Sequence, residues 1–535
     1  MSKPSDDENR AKSVGNSLDD MSVEQFRRHG YQVIDWIAEY LSNPDRLPVL
    51  SQVEPGQIKA ALPGDAPREG EEMDAILADL ERVIVPGLTH WNHPSFFAYF
   101  PMNASIPGIL GDIVATGLNG NAMMWRTSPA ATELEEVTLD WLRKLIGLPG
   151  EFSGLIYDTA SMASLCAIAA AREAVPGLRV REEGLYGPSS ATQSDRGVKG
   201  GNDQQGPVSN EAAAVMPSTR LRIYVSEHAH SSVEKAAITL GIGQTGVKKI
   251  SSDAEYRMDA ALLSRAIGED RAAGYQPFCV VATVGTTSTT SIDPVPEIAG
   301  ICEREQLWLH VDAAYGGSAA VVPEMKWVMA GCERADSFVV NPHKWFFVPF
   351  DLSVLYCRRM DVLRQAFSLV PEYLRSANQD QVTDFMDYGP QLGRRFRALK
   401  LWFAMRYFGS EGLAARLRHH IAMAHEFAEW VDRSPDFERL APVPFSTVCF
   451  RARPSNLQAD PGYVGGAAGM ESYLNSLNEK LLEAVNREGK VFLSHTKLEG
   501  RFTLRLAVGH IRTTRDHVSL AWERLNAALS RLTEQ

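Results

Sequence analysis

The stretch "LWLHVDAAYGG", residues 307–317, has the pattern of a buried strand that ends in an aspartate and then in small residues. The stretch "GYQPFCVVATVGTT", residues 274–287, has the same form. Around both, segments with helical spacing alternate with strands through about residue 400. This alternation predicts an α/β domain with a mostly parallel sheet, in which ligands bind beyond the carboxyl ends of the strands. Asp312 is therefore expected to face a ligand.

The length of 535 residues predicts more than one domain. The polar N-terminus is expected to be a disordered tail, and "SVEQFRRHGYQVIDWIAEYLS" after it has the spacing of an amphipathic helix. Helix, strands and helix near the C-terminus indicate a smaller α+β domain. The predicted division is a tail over 1–20, an N-terminal helical segment over 21–105, a large domain over 106–400 with a flexible Gly- and Ser-rich insertion at 183–216, and a small domain over 401–535.

Composition excludes several classes of partner. The net charge of -12 argues against a general nucleic-acid surface. Six cysteines without a CxxC pair support neither a zinc site nor a disulfide framework, and they suit a reducing cytoplasm. No apolar run is long enough to cross a bilayer. We therefore expect a cytoplasmic protein without a metal, membrane or nucleic-acid partner.

The segment "GIGQTG", residues 241–246, matches a dinucleotide-binding fingerprint only in its letters. That fingerprint needs a strand before it and a helix after it. Here a helical pattern precedes and a strand pattern follows, so we predict a glycine-rich turn.

The stretch "NPHKWFFVPFDLS", residues 341–353, places Lys344 among apolar residues. A buried lysine is costly unless it becomes neutral or forms a covalent bond. Pyridoxal phosphate (PLP) needs a lysine for its aldehyde, a carboxylate for its ring nitrogen and a cradle for its phosphate. Asp312 suits the second part, and Thr159 and Ser161 in "DTASMAS" suit the third, since they begin a predicted helix. Taken singly, these residues fit a surface lysine, a salt-bridge partner and a helix cap equally well.

Several segments together resemble one family. They are "THWNHPSFFAYFP" (89–101), "SPAATELE" (128–135), "AHSSVEKA" (229–236), "VDAAYGGSA" (311–319), "NPHKW" (341–345) and "LGRRFRALKLWF" (392–403). In this order they resemble the group II PLP-dependent amino-acid decarboxylases, and most of all the aromatic-L-amino-acid decarboxylases. The resemblance implies the aspartate aminotransferase-like architecture of fold type I, PLP as the cofactor, and a homodimer with active sites at its interface.

The resemblance also implies a role for each matched residue. Lys344 would bond the cofactor aldehyde, Asp312 the ring nitrogen, and His230 and Ala314 would pack on opposite ring faces. Thr287 would lie near the ring substituents, and the phosphate would be bound by Thr159, Ala160, Ser161, Asn341 and His343. Tyr373 matches a tyrosine on a mobile loop that closes over the neighbouring subunit's site, where it would donate a proton to the substrate carbon. The implied catalytic set is Lys344, Tyr373, His230 and Asp312.

An aromatic side-chain pocket is implied by Trp91, Tyr99, Phe100, Pro101 and Phe350. Met102 and Met123 are expected to contact the substrate as well, although they stand where relatives carry other residues, and Pro349 replaces a usual asparagine. The predicted substrate is an aromatic L-amino acid, with tryptophan, phenylalanine, tyrosine and DOPA all left open.

Three other readings stay open. A decarboxylase of glutamate or another non-aromatic amino acid would need a basic group in the pocket, and the motif segments offer only aromatic residues and methionine there. An aromatic aldehyde synthase typically lacks the loop tyrosine, which this chain has at Tyr373. A non-catalytic binding protein on the same fold would have no use for Lys344, Asp312 and His230 together.

Overall fold

The structure is a computed structural model that describes residues 20–185, 220–369, 381–455 and 467–534. The predicted tail up to residue 19, most of the predicted insertion and Tyr373 lie outside these described residues.

The helices and strands follow one another in this order. The first part contains α1 (Val23–Ser42), α2 (Gln57–Ala61), α3 (Met73–Asp79), α4 (Ile106–Leu118), α5 (Pro129–Ile146), β1 (Ser153–Tyr157), α6 (Ala160–Glu173) and α7 (Val180–Glu183). Then come β2 (Leu221–Ser226), α8 (Ser232–Thr239), β3 (Val247–Ile250), α9 (Ala260–Ala272), β4 (Gln276–Thr283), α10 (Val295–Glu305), β5 (Trp308–Asp312), β6 (Ser337–Val340), α11 (Pro342–Trp345), β7 (Ser353–Cys357) and α12 (Met360–Phe367). The last part contains α13 (Ala398–Arg433), β8 (Phe437–Arg439), β9 (Thr447–Ala452), α14 (Ala467–Arg487), β10 (Ser494–Leu498), β11 (Arg501–Ala507) and α15 (Arg515–Thr533).

A seven-stranded sheet has the order β1-β7-β6-β5-β4-β2-β3. Strands β3, β2, β4, β5 and β6 pair in parallel, whereas β7 pairs antiparallel with both β6 and β1. The predicted mixed, mostly parallel sheet is confirmed. Its central strands are buried over nearly their whole length, as expected for strands covered on both faces.

Small side chains bring helix α6 close to this sheet. Ala163, Ala167, Ala170 and Ala171 are buried, and the helix packs on β4 to β7 as well as on α8. Thr159 precedes the helix and accepts a hydrogen bond from the Met162 amide, so the predicted N-terminus of this helix is confirmed.

The predicted N-terminal helix and the glycine-rich turn are confirmed too. Helix α1 begins with a capping box formed by Ser22 and Gln25. The "GIGQTG" segment is a turn between α8 and β3, and it places no helix after a strand.

The chain forms two compact units. Unit 1 comprises Met1–Pro101, Glu429–Glu438 and Phe450–Gln535, and unit 2 comprises Met102–Ala428 and Arg439–Cys449. The large sheet lies in unit 2, and a four-stranded sheet in the order β10-β11-β9-β8 forms near the C-terminus. No helix in the described ranges is both long and apolar enough to span a bilayer.

Candidate active site

Asp312 is the last residue of β5, at the carboxyl edge of the parallel strands. It lies opposite Thr283 of β4 and Val339 of β6. Its side chain is buried, and Oδ1 accepts a hydrogen bond from the Ala314 amide at 3.0 Å. The predicted position at a strand end is confirmed, and the carboxylate is held in a fixed orientation there.

Lys344 lies on the short helix α11, directly after β6. The residue as a whole is half-buried, and burial of its amine lowers the pKa of Lys344. The Asp312 carboxylate acts in the opposite direction, which shows that it lies within electrostatic reach of the amine. A larger fraction of unprotonated amine makes this lysine a better nucleophile than a lysine on the surface.

His230 lies just before α8 and belongs to the same group of charges. Its Nδ1 accepts the Ser232 amide hydrogen at 3.1 Å and lies 2.9 Å from the Ser232 hydroxyl. Burial lowers the pKa of His230, Asp312 raises it and Lys344 lowers it. The structure therefore brings His230, Asp312 and Lys344 together, although they are far apart in sequence.

The predicted phosphate residues lie on two segments of unit 2. Thr159 caps α6 and Ala160 begins it, whereas Ser161 is exposed in the first turn. A helix N-terminus presents backbone N–H groups to an anion.

Asn341 and His343 form the second segment and are buried. Asn341 Oδ1 accepts from the Ser353 hydroxyl at 2.6 Å, and His343 Nδ1 accepts from the Leu352 amide at 3.0 Å. Burial, with Lys344 as the next cause, lowers the pKa of His343 to about 3. Both side chains therefore tie the lysine segment to β7, and their contact with a phosphate stays a prediction.

The two remaining predicted cofactor residues differ in exposure. Ala314 is buried beside Asp312, whereas Thr287 is exposed in the loop after β4. Next to Thr287, the buried hydroxyls of Thr286, Thr289 and Ser291 form a chain with distances of 3.0 and 2.8 Å. This chain stiffens the loop, and the contacts of Thr287 and Ala314 with a ring stay predictions.

These residues fit PLP. An amine with a lowered pKa lies near a buried carboxylate, and a helix of 14 residues that packs on the same strands begins after Thr159. These are the three chemical parts that the cofactor requires. In the described ranges, no group of three or more potential metal ligands is present.

The predicted substrate residues fall on both compact units. In unit 1 the Trp91 ring stacks on Tyr99 at 5.6 Å and on Phe96 at 4.4 Å. Phe100 and Pro101 are buried in the same segment, whereas Tyr99 is half exposed. A pure packing role for Trp91 therefore remains as consistent with the structure as a substrate contact.

Unit 2 contributes Met102, Met123 and Phe350. Met123 packs against Met124 and Met386. Phe350 is exposed, and its ring lies 5.1 Å from that of His343, next to the predicted catalytic lysine. The contact of each of these residues with a substrate stays a prediction.

The motif segments did not reveal a basic residue in unit 1. The Arg505 guanidinium lies 5.4 Å from the Phe100 ring centre and donates to Tyr99 O and Ser494 Oγ. Arg505 is buried on β11, about 400 positions along the chain from Phe100. In "FTLRLA" the large apolar residues alternate with Thr503 and Arg505, so the pattern places Arg505 on the polar face and gives no signal of its burial.

A second missed feature is a buried ion pair in unit 2. Arg394 donates to Glu135 at 2.7 Å and to the carbonyl of Ile156 at 2.8 Å. Glu135 in turn accepts the Ile156 amide hydrogen at 2.8 Å. The pair anchors β1, which leads directly into Thr159. Both residues occur in the quoted motifs, yet nothing in either segment shows that the two meet.

Comparison with known proteins decides the family. The model of the pyridoxal-dependent decarboxylase conserved domain matches residues 55–187 and 204–453, which is more than half of the chain. The chain belongs to the pyridoxal-dependent decarboxylase family. The predicted family, PLP as cofactor and the amino-acid decarboxylase class are thereby confirmed.

Two curated relatives and one crystal structure illustrate what the decarboxylase is similar to. It is 40% identical over 515 residues to aromatic-L-amino-acid decarboxylase of Rattus norvegicus, covering 94% of this chain and 97% of the relative. It is 38% identical over 519 residues to phenylacetaldehyde synthase of Arabidopsis thaliana, covering 95% and 96% of the two chains. The crystal structure of Oryza sativa TDC with PLP and tryptamine superimposes with a TM-score of 0.85 at 34% identity, over 96% of this chain and 100% of that one. The fold-type I architecture of the decarboxylase is confirmed.

Proposed function

We propose that this decarboxylase converts an aromatic L-amino acid into the corresponding amine and carbon dioxide. The observation that carries the proposal is the aromatic segment around Trp91, Tyr99 and Phe100, whose flat rings suit a flat side chain. Relatives whose names include aromatic-L-amino-acid and tryptophan decarboxylases support it. Tryptophan, phenylalanine, tyrosine and DOPA are the candidate substrates.

The catalytic work divides among the residues of unit 2. When bound, PLP supplies an electron sink that accepts the electron pair released as the carboxylate leaves. Lys344 provides the amine that anchors the cofactor, and its lowered pKa favours the unprotonated form that attacks an aldehyde. Asp312, held by the Ala314 amide, offers a fixed negative charge to the protonated ring nitrogen.

His230 and Tyr373 have different proposed tasks. Because His230 Nδ1 accepts the Ser232 amide hydrogen, the neutral ring carries its proton on Nε2 and packs as a flat, uncharged group on the cofactor. Tyr373 supplies the proton that the substrate α-carbon takes up after carbon dioxide has left. Thr159, Ala160, Ser161, Asn341 and His343 are proposed to orient the phosphate.

We also propose that the decarboxylase is a homodimer and that the N-terminal segment 21–105 contributes to its interface. Helix α1 of unit 1 exposes Val23, Phe26 and Ile34 along one side. In unit 2, helix α4 separately exposes Ile106, Leu110 and Ile113 along one side. Exposed apolar stripes of this kind are typical of protein contacts. Mass photometry that gave only the 59.0 kDa chain would overturn this proposal.

The substrate proposal is tested by incubating the purified, PLP-loaded protein with each candidate and with glutamate. Amine and carbon dioxide should form in equal amounts from at least one aromatic amino acid. Turnover of glutamate above that of tryptophan, phenylalanine, tyrosine and DOPA would sink the proposal.

Specific observations favour two other activities. Arg505 lies beside Phe100 and provides a positive group that an acidic substrate needs, although its guanidinium already bonds Tyr99 O and Ser494 Oγ. The similarity to a phenylacetaldehyde synthase favours an aldehyde product, against which the retained Tyr373 argues. The same incubations separate these two activities if hydrogen peroxide is measured as well. Turnover of glutamate identifies the decarboxylase of an acidic substrate, and hydrogen peroxide identifies the aldehyde synthase.

A further inference from the structure

His310 lies on β5, two positions before Asp312. Because side chains alternate along a strand, both side chains project from the same face of the sheet. His310 is completely buried. A polar ring in such a place is costly unless its nitrogens find hydrogen-bond partners.

Both ring nitrogens of His310 have partners on other elements. Nδ1 lies 2.9 Å from the Ser337 hydroxyl of β6, and Nε2 lies 3.3 Å from the Ser164 hydroxyl of α6. The indole N–H of Trp308 donates to the same Ser337 oxygen at 2.8 Å. Two hydrogen bonds thus connect β5 to β6 and to α6 through one imidazole, and the Trp308 indole adds a third bond from β5 to β6.

The tryptophan fixes the direction of one of these bonds. An indole N–H can only donate, so the Ser337 oxygen accepts from Trp308, and its second lone pair and its own hydrogen both remain available to His310 Nδ1. Burial lowers the pKa of His310 to about 4, so the ring is neutral, and a neutral imidazole has one nitrogen that donates and one that accepts.

The two elements that His310 joins carry the two ends of the proposed cofactor site. Strand β5 ends at Asp312, and helix α6 begins after Thr159. We propose that His310 is a positioning residue for PLP, which sets the strand carrying Asp312 against the helix that begins at the phosphate residues. The inference rests on the proposed assignment of Asp312 and Thr159–Ser161 to the cofactor.

The test uses the full chain in its PLP-free and PLP-loaded forms. Ser164→Ala removes one partner of the imidazole, and His310→Phe keeps a ring but removes both bonds. His310→Gln is the rescue variant, because its amide nitrogen can reach Ser164 as Nε2 does. Thr138→Val is the matched control, since it deletes a buried hydroxyl of α5 outside this chain of bonds. The readouts are the Kd for PLP, the visible circular dichroism of the bound cofactor, and the melting midpoints of both forms.

Ser164→Ala should weaken PLP binding about tenfold, which corresponds to the loss of about one hydrogen bond. His310→Phe, which removes both bonds of the ring, should weaken it at least as much. Both should also diminish the circular dichroism band, while His310→Gln lies closer to the wild type than His310→Phe. Thr138→Val should change neither the Kd for PLP nor the circular dichroism band. If His310→Phe does not fold, Ser164→Ala decides.

A residue that only fills the core would lower the melting midpoints of both forms equally and leave the Kd and the band unchanged, which would overturn the inference. Asp312→Asn, measured in parallel, distinguishes a failure of the inference about His310 from a failure of the proposed cofactor site. If Asp312→Asn alters the Kd or the band and the other variants do not, His310 has no positioning role. If Asp312→Asn also leaves both unchanged, the proposed cofactor site fails as well.

Discussion

Two lysines of unit 2, Lys344 and Lys400, have amines whose pKa is lowered by burial, and their surroundings differ. Lys400 is fully buried and forms an ion pair with Asp112 at 3.2 Å. Lys344 is half-buried as a residue. The ion pair with Asp112 suits a structural role for Lys400, whereas Lys344 lies within electrostatic reach of Asp312 and His230, the other proposed cofactor residues.

At the same scale, the proposed role of Tyr373 is to decide the product of the reaction. Tyr373→Phe removes one oxygen and little volume, so the variant should fold and bind PLP. Without the phenol proton, the electron-rich substrate carbon persists and reduces dioxygen to hydrogen peroxide. Amine formation should fall about 100-fold or more, as expected for the loss of a general acid, and aldehyde, ammonia and peroxide should appear. Product analysis in air with tryptophan or phenylalanine measures this change. Amine formation near the wild-type rate without peroxide would make Tyr373 an ordinary loop residue, with His230 as the next candidate acid.

At the scale of elements, strand β1 depends on the ion pair between Glu135 of α5 and Arg394. Glu135→Gln leaves the buried guanidinium without its counter-charge, so the free energy of unfolding should fall by about 3 kcal/mol or more. Denaturant unfolding measures this loss. The control is Lys144→Gln on the same helix, which breaks the exposed pair with Asp140. That change should cost less than about 1 kcal/mol. Equal losses in the two variants would contradict the anchoring role of Glu135.

The elements also show what a sequence can predict. Hydrophobic pattern and capping residues are local, so β5 ending at Asp312 and α6 beginning after Thr159 were predicted correctly. The contacts of His310 with Ser164, and of Arg505 with Tyr99, join positions far apart in the chain. Neither contact leaves a periodic signal, since each depends on how strands are ordered in a sheet. The family resemblance supplied the roles of Lys344 and His230, which spacing alone left open.

At the scale of the whole molecule, buried histidines set the response to acid. Burial lowers the pKa of His93 and of His310 to about 4 and that of His343 to about 3. In the unfolded chain a histidine titrates near about 6.5. Between these values the unfolded state therefore binds more protons than the folded state. The contribution of these histidines to the free energy of unfolding is complete above about pH 6.5 and is lost as the pH falls towards 4.

Asp293 has the opposite effect on how the free energy of unfolding depends on pH. Burial raises its pKa to about 7, so its contribution is present at low pH and is lost as the pH rises through about 7. Below about pH 6.5 the three histidines outnumber this one carboxyl group, so the free energy of unfolding should decrease on acidification. Each histidine should contribute about 1.4 kcal/mol per pH unit within its range.

Denaturant unfolding at several pH values between 4 and about 7 checks this response. His93→Gln should reduce the slope of the free energy of unfolding against pH, because about one proton fewer is taken up on unfolding. A free energy of unfolding that rises as the pH falls through this range would contradict the account.

The central claim is that Lys344 bonds PLP in this decarboxylase. Borohydride reduction of the PLP-loaded protein makes the bond permanent, and peptide mapping by mass spectrometry then locates the labelled lysine. We predict that the label lies on the peptide that contains "NPHKW", at Lys344, and that Lys400 carries none although it too is buried. A label on Lys400 or on any other lysine, or a reduced protein without a label, would contradict the claim.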